Sequence, residues 1–304
     1  MHLGIAVVYL AGEDDGPLIE LQLARIRRHT AAPYTVYAGT DRLTPDFPPL
    51  LRRDPNVQIC RFGEVPERGT LEASHYHTLL GRRALEDGVT HLAHLHMDSF
   101  PVRDAWEREL AEGLGTRWAL AGVAATEIGE VGRPRLVGLL ASRAFHEEHG
   151  PVEPVAGLPR RDPAYQAYAR QFLGHDSGDA YGYLLARKGL PWRRLERSNV
   201  REDHYLLGGL YGDVFFHLGA ASRGAQRLPP NRPTHAQFRR LQWVRRMSRE
   251  LVPAGVRAYV PDRFRALLNR DGERQEANRD ACARIRERLL ADPDGYLAYL
   301  RGLT

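Results

Sequence analysis

The stretch His91–Val102, HLAHLHMDSFPV, decides how this chain is read. It predicts an apolar strand that ends in metal-capable side chains and is then broken by Pro101. Side chains alternate across a strand with period two. His94, His96 and Asp98 therefore share one face, and Ala93, Leu95 and Met97 the other. Three potential ligands thus converge at the carboxyl end of a strand, where open α/β sheets bind their ligands.

The elements around this stretch set the fold class. Gly4–Leu10 is a continuous apolar run, the pattern of a strand buried on both faces. A polar loop, GEDDGP, follows, and Pro17 suits the first turn of a helix whose Leu18, Ile19, Leu21, Leu23 and Ile26 fall at helical spacing. Tyr34–Thr40 and Val57–Phe62 predict two more strands. Glu72–Asp87 predicts a helix closed by Gly88, and Asp104–Leu114 a helix with Asp104 as N-cap. Trp118–Ala125 and Arg135–Leu140 predict strands, Asp176–Gly189 a helix behind an acidic loop, and Asp213–Leu218 a short late strand. Strands alternating with helices predict a mostly parallel sheet covered on both faces. From Pro229 the chain is arginine-rich and helical in pattern, clearest in Thr234–Leu251 and Arg274–Leu290. The expected division is a nucleotide-binding α/β domain over 1–228 and a helical C-terminal extension over 229–304.

Composition narrows the class. The chain has 304 residues, 43% of them hydrophobic and 27% charged, which fits a globular protein with a sizeable core. No apolar run reaches the roughly 18 residues that span a bilayer. The N-terminus reads as a first strand and not as a secretory signal, so the expected setting is cytoplasmic. Cys60 and Cys282 make neither a disulfide framework nor a zinc-finger spacing. The net charge of +5 is carried almost wholly by arginine, Lys188 being the only lysine. Arginine suits a diphosphate ligand, an anionic surface or nucleic acid; GC-rich codon usage is the plainer and favoured reading.

In their order, these elements resemble the GT-A glycosyltransferases, particularly the broad group related to family two. The resemblance covers residues 4–223 and rests on three local matches. The first is HMDSFPV, where that family carries Asp-x-Asp before a Phe-Pro-like segment. Aligned on Phe100-Pro101, Asp98 takes the second aspartate's place and His96 the first's. The second is the helix EASHYHTLLGRRALEDG just before the metal strand. The third is GHDSGDAYGYLLARKGL followed by DVFFHLGAASR.

The resemblance implies a GT-A-like sheet and transfer of a hexosyl group, with inversion, from a nucleotide-diphosphate sugar to an acceptor left open. It implies a divalent cation, Mn²⁺ or Mg²⁺, held by Asp98, His96 and His217. Histidine in place of the first aspartate favours Mn²⁺ or another transition metal. It also implies that Asp176 or Asp179 serves as catalytic base, and that Asp41, His75 and Arg223 contact the donor. Each residue has a plainer alternative: a turn for Asp41, an exposed helix start for His75, helix N-caps for Asp176 and Asp179, and a core position for His217. The run Glu13-Asp14-Asp15 reads as a solvated loop or helix start. Two other functions stay open. One is a metal-dependent hydrolase using His94, His96 and Asp98, with His91 or His204 nearby. The other is a non-catalytic nucleotide-sugar-binding protein. The basic C-terminal helices suit a peripheral membrane contact or a homo-oligomer, and a nucleic-acid role is disfavoured.

Overall fold

The computed structural model describes residues 1–10, 15–41, 47–65, 70–128, 130–150, 162–172, 176–219 and 272–303. Its centre is a parallel block built from the most apolar strands. β1 (Leu3–Val8) is buried at every position. It pairs in parallel with β2 (Tyr34–Gly39) and with β4 (His91–His96), and β2 pairs in parallel with β3 (Val57–Cys60). The connections carry α1 (Gly16–His29), α2 (Phe47–Leu51) and α3 (Thr70–Glu86). Pro17 occupies the first turn of α1, and Gly88 ends α3 with φ +86°.

After β4 the chain forms β5 (Ser99–Pro101), α4 (Trp106–Ala111), β6 (Leu120–Ala125), β7 (Glu130–Ser142), α5 (Arg143–His149), α6 (Pro163–Ala169) and α7 (Asp179–Lys188). Then come β8 (Arg193–Leu195), β9 (Gly209–Tyr211), β10 (Phe215–His217), α8 (Gly272–Ala291) and α9 (Pro293–Leu300). The main sheet runs β3-β2-β1-β4-β7-β6-β8, and β5-β10-β9 make a small second sheet. Only β7 opposes its neighbours in the main sheet. This is the expected α/β class, a mostly parallel sheet flanked by helices. Leu80 and Ala84 of α3 cover Ala6, Val8 and Leu92 on one face. Leu18, Ile19, Leu23 and Ile26 of α1 cover Leu3, Ile5, Val7 and Leu95 on the other.

Several expectations are corrected. The opening stretch is two strands, not one: β4 stops at His96, Met97 and Asp98 turn, and Ser99–Pro101 joins the second sheet. Arg135–Leu140 is the middle of a 13-residue strand. Asp104 does not cap α4. Ala105 holds the cap position at φ 53°, and the Asp104 carboxylate lies 2.6 Å from Nδ1 of His29. Of the two readings of the acidic run, Asp15 takes the helix start: it holds the N-cap position of α1, is buried, and Arg286 meets its carboxylate at 2.9 Å.

The C-terminal helices belong to the main core. Ile285 and Leu289 of α8 and Tyr296, Leu297 and Leu300 of α9 are buried with the residues of α1 and β1. Arg25 and Arg28 of α1 both reach Asp294, at 2.6 and 2.8 Å. The expected boundary at 228/229, the helix Thr234–Leu251 and Arg223 lie outside the described residues. No helix among the described residues is long and apolar enough to cross a membrane. Because Leu289 is fully buried, Leu289→Ala is expected to cost about 2–5 kcal/mol of unfolding free energy. Urea denaturation measures it, and a cost below 1 kcal/mol would mean that α8 is not docked as described.

Candidate metal centre and acidic cluster

The turn after β4 is held by a residue on the apolar stripe of α1. Gln22 is fully buried between Leu18, Ile19, Leu23 and Ile26. A side-chain amide carries two N–H donors. Gln22 Nε2 gives one to the carbonyl of His96 at 2.6 Å and one to the carbonyl of Ser99 at 2.7 Å. The His96 backbone N–H donates to Ser99 Oγ at 2.9 Å, and the Ser99 hydroxyl donates to the His96 carbonyl at 3.0 Å. Met97 and Asp98 are thereby fixed at the tip.

β5 then pairs antiparallel with β10, with Ser99 opposite His217. The Leu218 N–H donates to the Asp98 carbonyl at 2.9 Å. This register sets His217 Nε2 3.4 Å from Asp98 Oδ1. The rings of His96 and His217 meet edge to face at 6.0 Å. One donor atom from each of His96, Asp98 and His217 falls within 4.8 Å of the others. Asp98 is buried and both histidines are half-buried.

The donor set fits a divalent cation. Two imidazole nitrogens and one carboxylate oxygen suit Mn²⁺, Fe²⁺ or Zn²⁺ better than Mg²⁺, which prefers oxygen. Three protein donors leave coordination positions for ligand oxygens.

His94 shares the face of His96 but does not join this set. It is buried, with Nδ1 3.2 Å from His77 Nδ1 and Nε2 3.0 Å from the Tyr181 hydroxyl. The hydrolase set His94/His96/Asp98 is therefore not assembled. His91 contacts Thr90 Oγ1, and His204 accepts from the Leu206 N–H. Burial lowers the pKa of His94 to about 3 and that of His146 to about 4, and it holds His77 well below the usual histidine range.

The acidic residues before α7 meet two arginines of β7. Neither aspartate caps α7, whose N-cap position is Gly178 with no side-chain hydrogen bond. Asp176 Oδ1 accepts from the Ser177 N–H at 2.6 Å, and its Oδ2 faces Arg133 and Arg135 at 3.8 and 3.7 Å. Asp179 is buried and accepts from Arg133. Glu130 accepts from Arg133 as well, and from Arg135 at 3.0 Å. Burial acts to raise the Asp176 pKa, but Arg135, Arg133 and the nearby His96 more than reverse this, so its carboxyl lies far below the ordinary range. Asp176 is thus an ionised group held against Arg133 and Arg135, within electrostatic reach of His96.

Asp41 and His75, two of the candidate donor contacts, meet partners outside this cluster. Asp41 Oδ1 accepts from the N–H groups of Phe62 and Gly63, both at 2.8 Å, which ties the end of β2 to the end of β3. Its Oδ2 accepts no hydrogen bond from the described residues. His75 is half-buried on α3 with its ring against Tyr76. His77, two residues on, is the α3 histidine that faces the cluster, its ring 5.8 Å from that of His96.

The sequence reading missed Gln22, Glu130, Arg133 and Arg135; it placed His77 at the polar start of α3 but gave the role to His75. A signal existed for two groups. Gln22 interrupts an apolar helix stripe, and Arg133 and Arg135 alternate on one strand face.

No protein-family model matches the chain, and curated protein sequences give no match. Among solved structures it is similar to the mannosyltransferase PcManGT from Pyrobaculum calidifontis in complex with GDP-Man and Mn2+. The TM-score is 0.45 at 13% identity, covering 99% of this chain and 78% of that one. A likeness at that level assigns no role to any residue.

Two predictions follow from the geometry. Gln22→Leu removes a donor from the Ser99 carbonyl and one from the His96 carbonyl, to which the Ser99 hydroxyl still donates, and is expected to cost about 1–3 kcal/mol in chemical unfolding; an unchanged midpoint would show that the turn does not depend on it. The second concerns acid. His94 and His146 stay neutral in the fold while the unfolded chain takes up protons near pH 6.5. Their contribution is whole above that pH and falls as pH drops toward their folded values of about 3 and 4. Each accounts for up to about 1.4 kcal/mol per pH unit in that window. Unfolding free energies measured from pH 7 to 4.5 should decline, and His146→Phe should make the decline shallower.

Proposed function

We propose that this chain is a metal-assisted glycosyltransferase, moving a sugar from a nucleotide-diphosphate donor to an acceptor nucleophile. The observation that carries the reading is the His96–Asp98–His217 cluster at the carboxyl end of β4, with the ionised Asp176 within electrostatic reach of His96. It agrees with the sequence resemblance, in which the same position holds the Asp-x-Asp motif.

His96, Asp98 and His217 would hold the cation, whose chemistry is to neutralise charge developing on the departing diphosphate. Asp41, through Oδ2, and His75 are proposed donor contacts, as is Arg223. The bond between the anomeric carbon and the diphosphate oxygen breaks, and its electron pair leaves with the diphosphate. The acceptor oxygen bonds to the same carbon from the opposite side, so the configuration inverts. Asp176 takes the acceptor proton. Its low basicity suits transfer late, once the acceptor oxygen has gained positive charge. Asp179 is committed to Arg133 and acts by holding that arginine against Asp176.

A thermal-shift panel of uridine, guanosine, adenosine, cytidine and thymidine diphosphates, each with Mn²⁺, Mg²⁺ or chelator, tests the reading. One nucleoside diphosphate is expected to raise the melting temperature with Mn²⁺, less with Mg²⁺ and not with chelator. At a hundred times Kd the stabilisation is about 2.7 kcal/mol. Asp98→Ala should abolish the Mn²⁺-dependent shift. A full shift in that variant would remove the metal assignment. Tight binding of the matching nucleotide sugar without transfer or hydrolysis would instead identify a binding protein.

A further inference from the structure

Behind the metal cluster lies a buried chain of side chains that the proposed reaction does not use. It runs from Tyr181 on α7 through His94 on β4 to His77 on α3, and ends against the ring of His96. We propose that Tyr181, His94 and His77 form a positioning chain that fixes the ring of the cation ligand His96, and so couples the cation site to the acidic start of α7. The proposal rests on the reading that His96, Asp98 and His217 bind a cation.

The hydrogen bonds set the direction of the chain. The Tyr181 hydroxyl has one proton to donate and is buried. The acceptor it meets is His94 Nε2, at 3.0 Å. His94 Nε2 therefore carries no proton, and Nδ1 carries it. Nδ1–H then donates across 3.2 Å to His77 Nδ1. His77 consequently holds its own proton on Nε2. The reverse arrangement would leave the Tyr181 proton buried without this acceptor, at a cost of about 1–3 kcal/mol. His77 and His146 line a small cavity of about 20 Å³, and His77 Nε2 is buried without a hydrogen-bond partner among the described residues.

This chain fixes the ring plane of His77, which is 1% exposed. That ring lies nearly parallel to His96, at 24° and 5.8 Å between centroids. His217 meets the His96 ring edge-on from elsewhere, at 77°. The His96 imidazole is thereby confined between two rings at the end of its strand. A ligand ring that cannot turn loses less freedom when it binds an ion, which is how groups behind a metal ligand raise affinity. Tyr181 stands in the first turns of α7, two residues after Asp179 and five after Asp176. A shift of α7 would break the Tyr181–His94 bond, so the acidic residues and the ligand ring are set by one interior chain.

Two measurements test this without enzyme turnover. The first is Mn²⁺ affinity, read from the electron paramagnetic resonance signal of free Mn²⁺, for wild type, Tyr181→Phe and His77→Phe. Each variant is expected to bind about tenfold more weakly, the lower end of what such support residues contribute. Tyr181→Phe removes one oxygen and carries the test if His77→Phe does not fold. A folded Tyr181→Phe, judged by near-ultraviolet circular dichroism, with wild-type affinity overturns the proposal. The second is ¹⁵N NMR of histidine rings in metal-free protein. His94 should appear protonated at Nδ1 and His77 at Nε2, and Tyr181→Phe should scramble this pattern. The opposite tautomers would overturn the chain itself, whatever the metal result. Wild type that binds no Mn²⁺ but shows the expected tautomers would locate the failure in the cation reading, and with it the role proposed for the chain.

Discussion

The antiparallel pairing of β5 with β10 is the constraint on which the site depends. Three residues on each side, with Ser99 opposite His217, are enough to carry a side chain from near the end of the α/β portion to the tip of β4. A slip of one residue would turn His217 to the other face of its strand and dissolve the donor set. Aromatic packing guards the register. Phe100 stacks on Phe216 at 5.0 Å, and Phe215 meets Trp106 edge-on at 5.0 Å. Gly138 on β7 makes room for this layer, since a Cβ there would lie 2.5 Å from the Phe215 ring. Any larger residue at 138 would push β10, and His217 with it, away from the main sheet.

Charge is arranged around this seam with little solvent to screen it. Arg133 and Arg135 face Asp176, Asp179 and Glu130 inside the protein. Two cations against three anions leave the cluster one negative charge in excess. A buried excess of this kind is expensive alone, and a cation of the kind proposed for His96, Asp98 and His217 would offset it. The acidic cluster and the proposed cation would therefore favour each other electrostatically. The mutual benefit is larger than at a surface because the effective dielectric is lower.

Much of this was legible in the sequence, for identifiable reasons. The parallel block could be read because β1 and β4 are short apolar runs between turn residues, and α1 and α3 carry strong periodicity. Asp98 and His96 could be placed because they sit where a strand must stop before proline. The turn between β4 and β5 was not legible, since nothing local distinguishes one long strand from two short ones pointing into different sheets. β7 was read in its middle only, because Gly132, Arg133, Pro134 and Arg135 interrupt the apolar signal at its start. The cap expected at Asp104 failed for a tertiary reason: its carboxylate is drawn to His29 instead. Gln22, and the choice of His77 over His75, resisted reading because a buried polar residue gains its meaning from partners 17 to 77 positions away.

The location of the donor set has a consequence for how the molecule comes into being. All seven strands of the main sheet have been synthesised once Leu195 is made, and they already include His96. The third donor arrives only with His217, on a different sheet. The framework can therefore collapse and pair its strands while the ion-binding geometry is still missing a member. An ion has little to grip at that stage and cannot trap a misregistered sheet. Because the donors close together only when β10 pairs with β5, loading with the proposed metal would be a late, local event in the life of the chain.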